Sequence, residues 1–251
     1  MSNGYPWYWR LKNTMPTGMK STARRVVDSV AATAIGSANR GPASADRACL
    51  TLDDGPDPEV TPGLLKELAA RDVRCTFFVL TDQVQRYPEL TREIVAAGHE
   101  VGLHGQDHRT VSTMKAVQVH RYLGHARTLL QDVIGQSVTL YRPPYGAQSL
   151  SSYLGARRAG LDVVVWSSDA NDWVDRAGGH VVSDALVGAT PGAIMLFHER
   201  LEAHPQRGAP STRFDRVAVV ADILDGLRER GLTPSTVSEL GPLHRTAWFR
   251  P

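Results

Sequence analysis

The chain of 251 residues is poor in cysteine, with Cys49 and Cys75 alone. Their separation resembles no zinc-ribbon or redox spacing, and two thiols offer no disulfide framework. Both fall in predicted buried strands and read as small core hydrophobes. No run of about 18 apolar residues is present, so no transmembrane helix is expected. The start also lacks the apolar centre of a secretory signal, and a cytoplasmic location is expected. Charge of one sign is missing too: 28 Lys and Arg face 26 Asp and Glu, a formal net charge of +2. A nucleic-acid partner usually needs a concentrated basic face, so none is expected. There is no internal repeat and no low-complexity tract.

What remains is an ordinary apolar content, 42%, in a length that α/β barrels commonly reach as one unit. Residues 1–46 lack strand signals and read as an extension holding one amphipathic helix near 19–34, ending in a turn-rich stretch from Gly36 to Ser44. Between Met1 and Val27 the basic residues Arg10, Lys12, Lys20, Arg24 and Arg25 stand without an acid, behind Trp7, Tyr8 and Trp9. Aromatics with cations suit a membrane interface, which gives peripheral contact through residues 1–30 at the inner membrane face as an expectation. The alternative is an arm packed on the domain or a flexible leader.

From residue 47 to 251 a second unit shows regular alternation. Strands are predicted at Ala48–Asp53, Val73–Leu80, Glu100–Leu103, Val138–Tyr141, Leu161–Trp166 and Ala193–Phe197, with a short strand and turn over Thr233–Leu240. Helices are predicted at Thr61–Arg71, Glu89–Ala97, Thr113–Ile134, Leu150–Ala159, Val181–Ala189 and Phe214–Arg230. Glycines at 98, 135, 160 and 231 close several of the helices. Strands alternating with helices of this length imply crossovers and a parallel sheet. The chemically interesting residues all fall at carboxyl ends of strands: Asp53 and Asp54, His104, Arg142, Asp169 and Asp172, and His198. That rim is where barrel-like α/β folds hold their active sites.

Asp53 and Asp54 are adjacent carboxylates that raise each other's pKa unless something compensates. A divalent cation would. With Asp54, the pair His104 and His108, four residues apart and read as one helical turn with rings on a shared face, supplies three of zinc's four ligands, leaving room for water. Imidazole suits zinc, cobalt or nickel, and the carboxylate extends the choice to manganese. Asp53 is then free to act as general base on the water, or else it caps the Gly55-Pro56 turn. In Arg142-Pro143-Pro144-Tyr145 the prolines stiffen a loop. Arg142 could form a bidentate pair with Asp53, and the Tyr145 N–H could donate to an oxyanion, unless this is a structural turn. Trp173 suits a sugar face or a pocket wall, or is core. Asp172 could hydrogen-bond His198 and make it a general acid for a leaving amine; otherwise His198 is a satisfied polar residue. His99, His120, His125, His180, His204 and His244 fit no ligand spacing and read as turn or surface residues.

These residues carry a resemblance. Thr51-Leu52-Asp53-Asp54-Gly55-Pro56, His104-Gly105-Gln106-Asp107-His108, Arg142-Pro143-Pro144-Tyr145, Asp169-Ala170-Asn171-Asp172-Trp173 and Leu196-Phe197-His198 resemble, in order, the five motifs of the polysaccharide deacetylases with a NodB-homology domain, carbohydrate esterase family 4. The resemblance covers roughly residues 47–240. It implies a distorted (β/α) barrel of about seven parallel strands and a catalytic domain over 47–251. It also implies one divalent metal ion, foremost Zn2+, on Asp54, His104 and His108. Asp53 would be the base, Arg142 its tuning partner, and His198 the acid supported by Asp172. Tyr145, Trp173 and Pro144 would line the substrate site. The implied reaction is removal of an N-acetyl group from an amino sugar or sugar-containing substrate. Alternatives are deacylation of a small-molecule or O-acetyl ester substrate at the same site, and a non-catalytic glycan-binding module. A nucleotide-linked or lipid-linked sugar, or a glycosylated metabolite, would suit an intracellular enzyme, with the loop Glu199–Thr212 reading it. One departure stands out: Gly105 occupies a position where the family carries Ser or Thr, a hydroxyl that braces the loop of the second histidine.

Overall fold

The computed structural model describes residues 36–202 and 212–247. The expected helix near 19–34, the membrane contact of residues 1–30 and most of the loop 199–212 lie outside these residues. Chain order begins with β1 (Ser37–Arg40) and β2 (Arg47–Asp53), followed by α1 (Thr61–Ala70), β3 (Thr76–Leu80), α2 (Thr81–Arg86), α3 (Pro88–Ala96) and β4 (Glu100–Gly105). Then come α4 (Ala116–Ile134), β5 (Leu140–Tyr141), α5 (Leu150–Arg158), β6 (Asp162–Val163), β7 (Ser168–Asp169) and α6 (Gly178–Val187). The chain continues with β8 (Ile194–His198), α7 (Arg216–Glu229), β9 (Thr233–Pro234) and β10 (His244–Thr246).

The order β6-β5-β4-β3-β2-β8-β7 makes a curled sheet of seven parallel strands, the distorted (β/α) barrel that the alternation implied, with β9 paired to the start of β2. Successive strand side chains point to opposite faces, and β2 uses both. Ala48, Leu50 and Leu52 pack outward with Leu64 and Leu68 of α1. Cys49 turns inward, into a cluster with Ala38, Phe78, Leu140, Val164, Ile194, Val237 and Leu240 that fills the barrel interior. By the same period Thr51 and Asp53 also face inward, above that cluster. Asp53 lies beside His198 in the β2–β8 register. The rim chemistry is thus set by strand parity.

Helix ends follow local chemistry. Pro62 stands in the first turn of α1, where a missing N–H costs nothing. Gly135 closes α4 in the left-handed conformation, φ 68°, which only glycine adopts freely. Asp215 caps α7 by accepting the N–H groups of Val217 and Ala218 at 2.9 and 3.1 Å, and so fixes the entry of Arg216.

Several elements differ from expectation. β1 forms where the sequence shows no strand signal. It pairs antiparallel with β10 and bridges to Val164 and Ala193, covering the seam between β6 and the start of β8. Helix α2 and strand β7 are additional, and the predicted strand Leu161–Trp166 contracts to β6. His99 is not a surface residue: it is buried, and its Nδ1 accepts the Cys75 N–H at 3.2 Å. His120, His125, His180 and His244 are exposed. Both cysteines are buried free thiols, Cys49 in β2 and Cys75 one residue before β3. Among the described residues no helix is long and apolar enough to cross a membrane.

Candidate active site

Asp54 follows the last residue of β2 in the left-handed region, φ 73°, an uncommon place for a non-glycine residue. The conformation turns its side chain away from that of Asp53, and both carboxylates are buried. His104 is the penultimate residue of β4. His108 lies in the irregular loop beyond it, so the two rings do not share a helical turn. Gly105, at φ 135°, ends the strand, and the loop folds back to bring the ring centroids to 5.1 Å.

The three side chains meet at one place. His104 Nε2 and His108 Nε2 each stand 3.3 Å from Asp54 Oδ1, and one ligand atom from each residue lies within 4.8 Å of the others. His104 Nδ1 is 2.8 Å from the Arg142 carbonyl. That oxygen can only accept, so the proton sits on Nδ1 and the Nε2 lone pair faces Asp54. The backbone N–H of Glu202 donates to Asp54 Oδ2 at 3.2 Å, which leaves Oδ1 for the histidines. Asp54 Oδ1 and His104 Nε2 are buried without a hydrogen-bond partner. Asp54 Oδ1 and His104 Nε2, both without a partner, and His108 Nε2 converging beside them are a donor set that fits a divalent cation with open positions. Burial alone would raise the Asp54 carboxyl, but the neighbouring His108, His104 and His198 outweigh it and hold it well below the usual carboxylate range. Burial pushes His108 down to about 4 against the pull of Asp54.

Asp53 belongs to a separate pair. Its Oδ1 accepts from Arg142 Nη1 at 2.8 Å, while Oδ2 stands 3.9 Å from His104 Nε2. The expected bidentate geometry is absent because Arg142 divides its donors. Nη1 also reaches Thr51 Oγ1 at 2.5 Å, and Nη2 points to the Val165 carbonyl at 3.4 Å. The guanidinium is fully buried and lies 4.2 Å over the Phe78 ring, so it caps the apolar interior and supports the rim from below.

Across the rim, His198 Nδ1 is 2.8 Å from Asp172 Oδ1, and the His198 N–H donates to Asp172 Oδ2 at 3.0 Å. Burial works against a charged His198, but Asp172 prevails, by its charge and its hydrogen bond, and the imidazole is pushed up to about 9. Burial also opposes ionisation of Asp172, which His198 and Arg216 together hold below the ordinary carboxylate value. Trp173 meets His198 edge-on at 6.0 Å, and Tyr145 meets His108 edge-on at 4.3 Å. Tyr145 is 45% exposed, at φ 60°, while Pro144 beside it is buried in a short 3-10 turn. Asp169 stays nearby, accepting the Asn171 N–H at 2.8 Å.

The roles of three residues at the site escaped the sequence reading. Thr51 was accessible to it, being two positions before Asp53 on the same strand face. Glu199 follows His198 directly; it is buried, receives the Thr61 hydroxyl, and is pushed up to about 8 by burial. Arg216 carries no motif signal, yet its Nη1 donates to Asp172 Oδ2 at 2.6 Å.

The polysaccharide deacetylase family model matches residues 40–164. A peptidoglycan-N-acetylglucosamine deacetylase of Listeria monocytogenes is 39% identical over 153 residues, which are 61% of this chain and 32% of that longer protein. The chitooligosaccharide deacetylase of Bradyrhizobium sp. is 34% identical over 197 residues, 77% of this chain and 90% of that one. The crystal structure of the peptidoglycan N-acetylglucosamine deacetylase Bc1960 has a TM-score of 0.73 at 26% identity, covering 83% of this chain and 94% of its own. With one relative matched along nearly its whole length and the barrel shared with another, the chain belongs to the polysaccharide deacetylase family.

Proposed function

We propose that this chain is a metal-dependent hydrolase that removes the N-acetyl group of an amino sugar and releases acetate, with N-acetylglucosamine units of peptidoglycan or a chitooligosaccharide as substrate. The observation that carries this reading is the convergence of Asp54, His104 and His108 on one point, between a buried carboxylate and an imidazole that stays protonated. The substrate class rests on the relatives, which are named for peptidoglycan N-acetylglucosamine and chitooligosaccharide.

Asp54, His104 and His108 would hold the ion, zinc foremost, with cobalt, nickel or manganese compatible with the same donors. The chemistry supplied there is polarisation of the acetyl carbonyl and a more acidic water. Asp53, with Oδ1 tied to Arg142, offers Oδ2 to the proton of the attacking water. As the water oxygen bonds the acetyl carbon, charge develops on the carbonyl oxygen, and the Tyr145 N–H donates to it from a loop stiffened by Pro143 and Pro144. His198, with its Nδ1–H held on Asp172, delivers the Nε2 proton to the sugar nitrogen as the C–N bond breaks. Acetate and the free amine result; Asp53 then gives its proton to solvent and His198 regains one. Tyr145, edge-on to His108, and Trp173, edge-on to His198, would hold the sugar ring.

Acetate release from N-acetylglucosamine oligomers and peptidoglycan, measured after chelation and again after metal is restored, tests the reading. Asp53→Asn should bind metal nearly as well as the parent and turn over nothing. Release that survives exhaustive chelation, or that persists in Asp53→Asn, overturns it.

A further inference from the structure

Asp172 has more partners than an acid-supporting carboxylate needs. Besides His198, it accepts from Arg216, the first residue of α7. Arg216 Nη1 lies 2.6 Å from Asp172 Oδ2 and 2.8 Å from the His198 carbonyl. Its Nη2 reaches the Asp172 carbonyl at 3.3 Å and Thr212 Oγ1 at 2.9 Å. The guanidinium is held between Phe197 and Phe214, 5.6 and 5.0 Å from the ring centroids, and its side chain is only 9% exposed. One side chain therefore ties the end of β8, the loop after β7 and the start of α7 together around the His198–Asp172 contact.

The division of the carboxylate is specific. Oδ2 takes Arg216 and the His198 backbone N–H, so Oδ1 alone is left for the His198 ring. A guanidinium can serve two acceptors in one plane in a way an ammonium cannot. It also places a second cation on the carboxylate that His198 must share. The other charged groups facing this pair are Asp53 at the end of β2, Asp54 just after it, His108 from the loop after β4, and Asp169 from β7.

We propose that Arg216 is a positioning residue of the deacetylation site: it assigns Asp172 Oδ1 to the His198 ring and, as a competing cation, limits how tightly that carboxylate holds the imidazolium. The inference rests on the acid role given to His198 above, and its test is separable from that role. The side-chain titration of His198 is followed by NMR in the full-length zinc-loaded protein with labelled histidine, the resonance being assigned with His198→Gln, alongside the pH dependence of acetate release. In Arg216→Met the His198 titration should move up by about 0.5–1 pH unit, since a like charge on the shared carboxylate is lost. Arg216→Lys should cancel most of that shift while giving a lower kcat, because the charge returns without the fork. Titration curves of both variants that overlay the parent's, with only a lowered unfolding midpoint, would make Arg216 a packing residue and overturn the proposal. A shifted titration with an unshifted rate profile would leave the positioning intact and remove His198 from the acid role. If Arg216→Met does not fold, Arg216→Gln, which keeps hydrogen-bond donors without the charge, takes its place: an upward shift of about 0.5–1 pH unit is expected, and a titration that overlays the parent's overturns the proposal.

Discussion

Replacing Asp172 by Asn separates the charge on the acid side from its shape. Asp172 is the leading influence that raises His198 to about 9 against burial. Without that charge the imidazole should return toward its ordinary value of about 6.5. At about pH 8 the protonated fraction would fall from roughly 0.9 to roughly 0.03, a loss of about 30-fold in any step that needs the imidazolium. At about pH 6 the two proteins would differ by less than about twofold on the same count. The rate ratio of variant to parent should thus be steeply pH-dependent, with the basic limb moved to lower pH. A cation on Asp54 displaces both curves in the same direction, so the difference between them is the observable. Asn brings a second effect: it cannot accept from the His198 ring, the His198 N–H and Arg216 together. Facing one of these donors with its own NH2 costs about 1–3 kcal/mol of stability. The assay is kcat/KM for acetate release between pH 5.5 and 10, as a plan of about nine points, paired with urea unfolding at pH 7. A rate loss of the same size at every pH would refute the reasoning, since charge removal would then act only through disorder.

Arg142→Met should lower stability by about 3–5 kcal/mol, because it leaves Asp53 buried without its cation; the urea midpoint measures it, and an unchanged midpoint would mean that water reaches the carboxylate. Gly105→Ser, which brings the chain back to the family's pattern, should destabilise this chain by about 1–3 kcal/mol. Gly105 sits at φ 135°, and a Cβ there would lie 2.9 Å from the Asp107 carbonyl; a melting temperature equal to the parent's would show that the loop can relax. His99 is pushed down to about 4, first by burial and then by Arg74. Its folded pKa lies below its unfolded one, so between pH 6.5 and about 4 the unfolded chain binds more protons. Stability should therefore rise with pH across that window and fall as acid is added. His99→Asn, which can still accept the Cys75 N–H, should flatten that part of the curve, and an unaltered slope would place the titration elsewhere.

What the sequence exposed and what it hid follow from the range of the signals. Strand parity and the strand-end position of Asp53, His104, Arg142 and His198 are local, and they were legible. The conformation of the histidine pair was not. A spacing of four residues suggests a helical turn, but the pair straddles a strand end, and only the positive φ of Gly105 brings the rings together. β1 has four residues, Ser-Ala-Asn-Arg, with no alternation to notice. Its partners come from β10, two hundred residues away, and from Val165, whose N–H donates to the Ala38 carbonyl at 2.7 Å. The single bond between Arg142 and Asp53 depends on competing acceptors, Thr51 and the Val165 carbonyl, that only the closed barrel supplies. Arg216 lies 44 residues from Asp172, and no pattern links a helix start to a loop acid over that distance. His99 was misjudged because its ring serves the backbone of a neighbouring strand, a use with no spacing rule.

The ribbon of β1 and β10 has a mechanical meaning. Ser37 faces Thr246 and Arg40 faces His244, so a force that draws the first and last described residues apart enters at one end of an antiparallel ladder. Bonds loaded in that direction give way singly, from Ser37 inward, instead of sharing the tension. The ribbon would peel open under modest load, and stress would then reach the Val164 and Ala193 bridges before the seven-stranded barrel with its rim of acids and imidazoles.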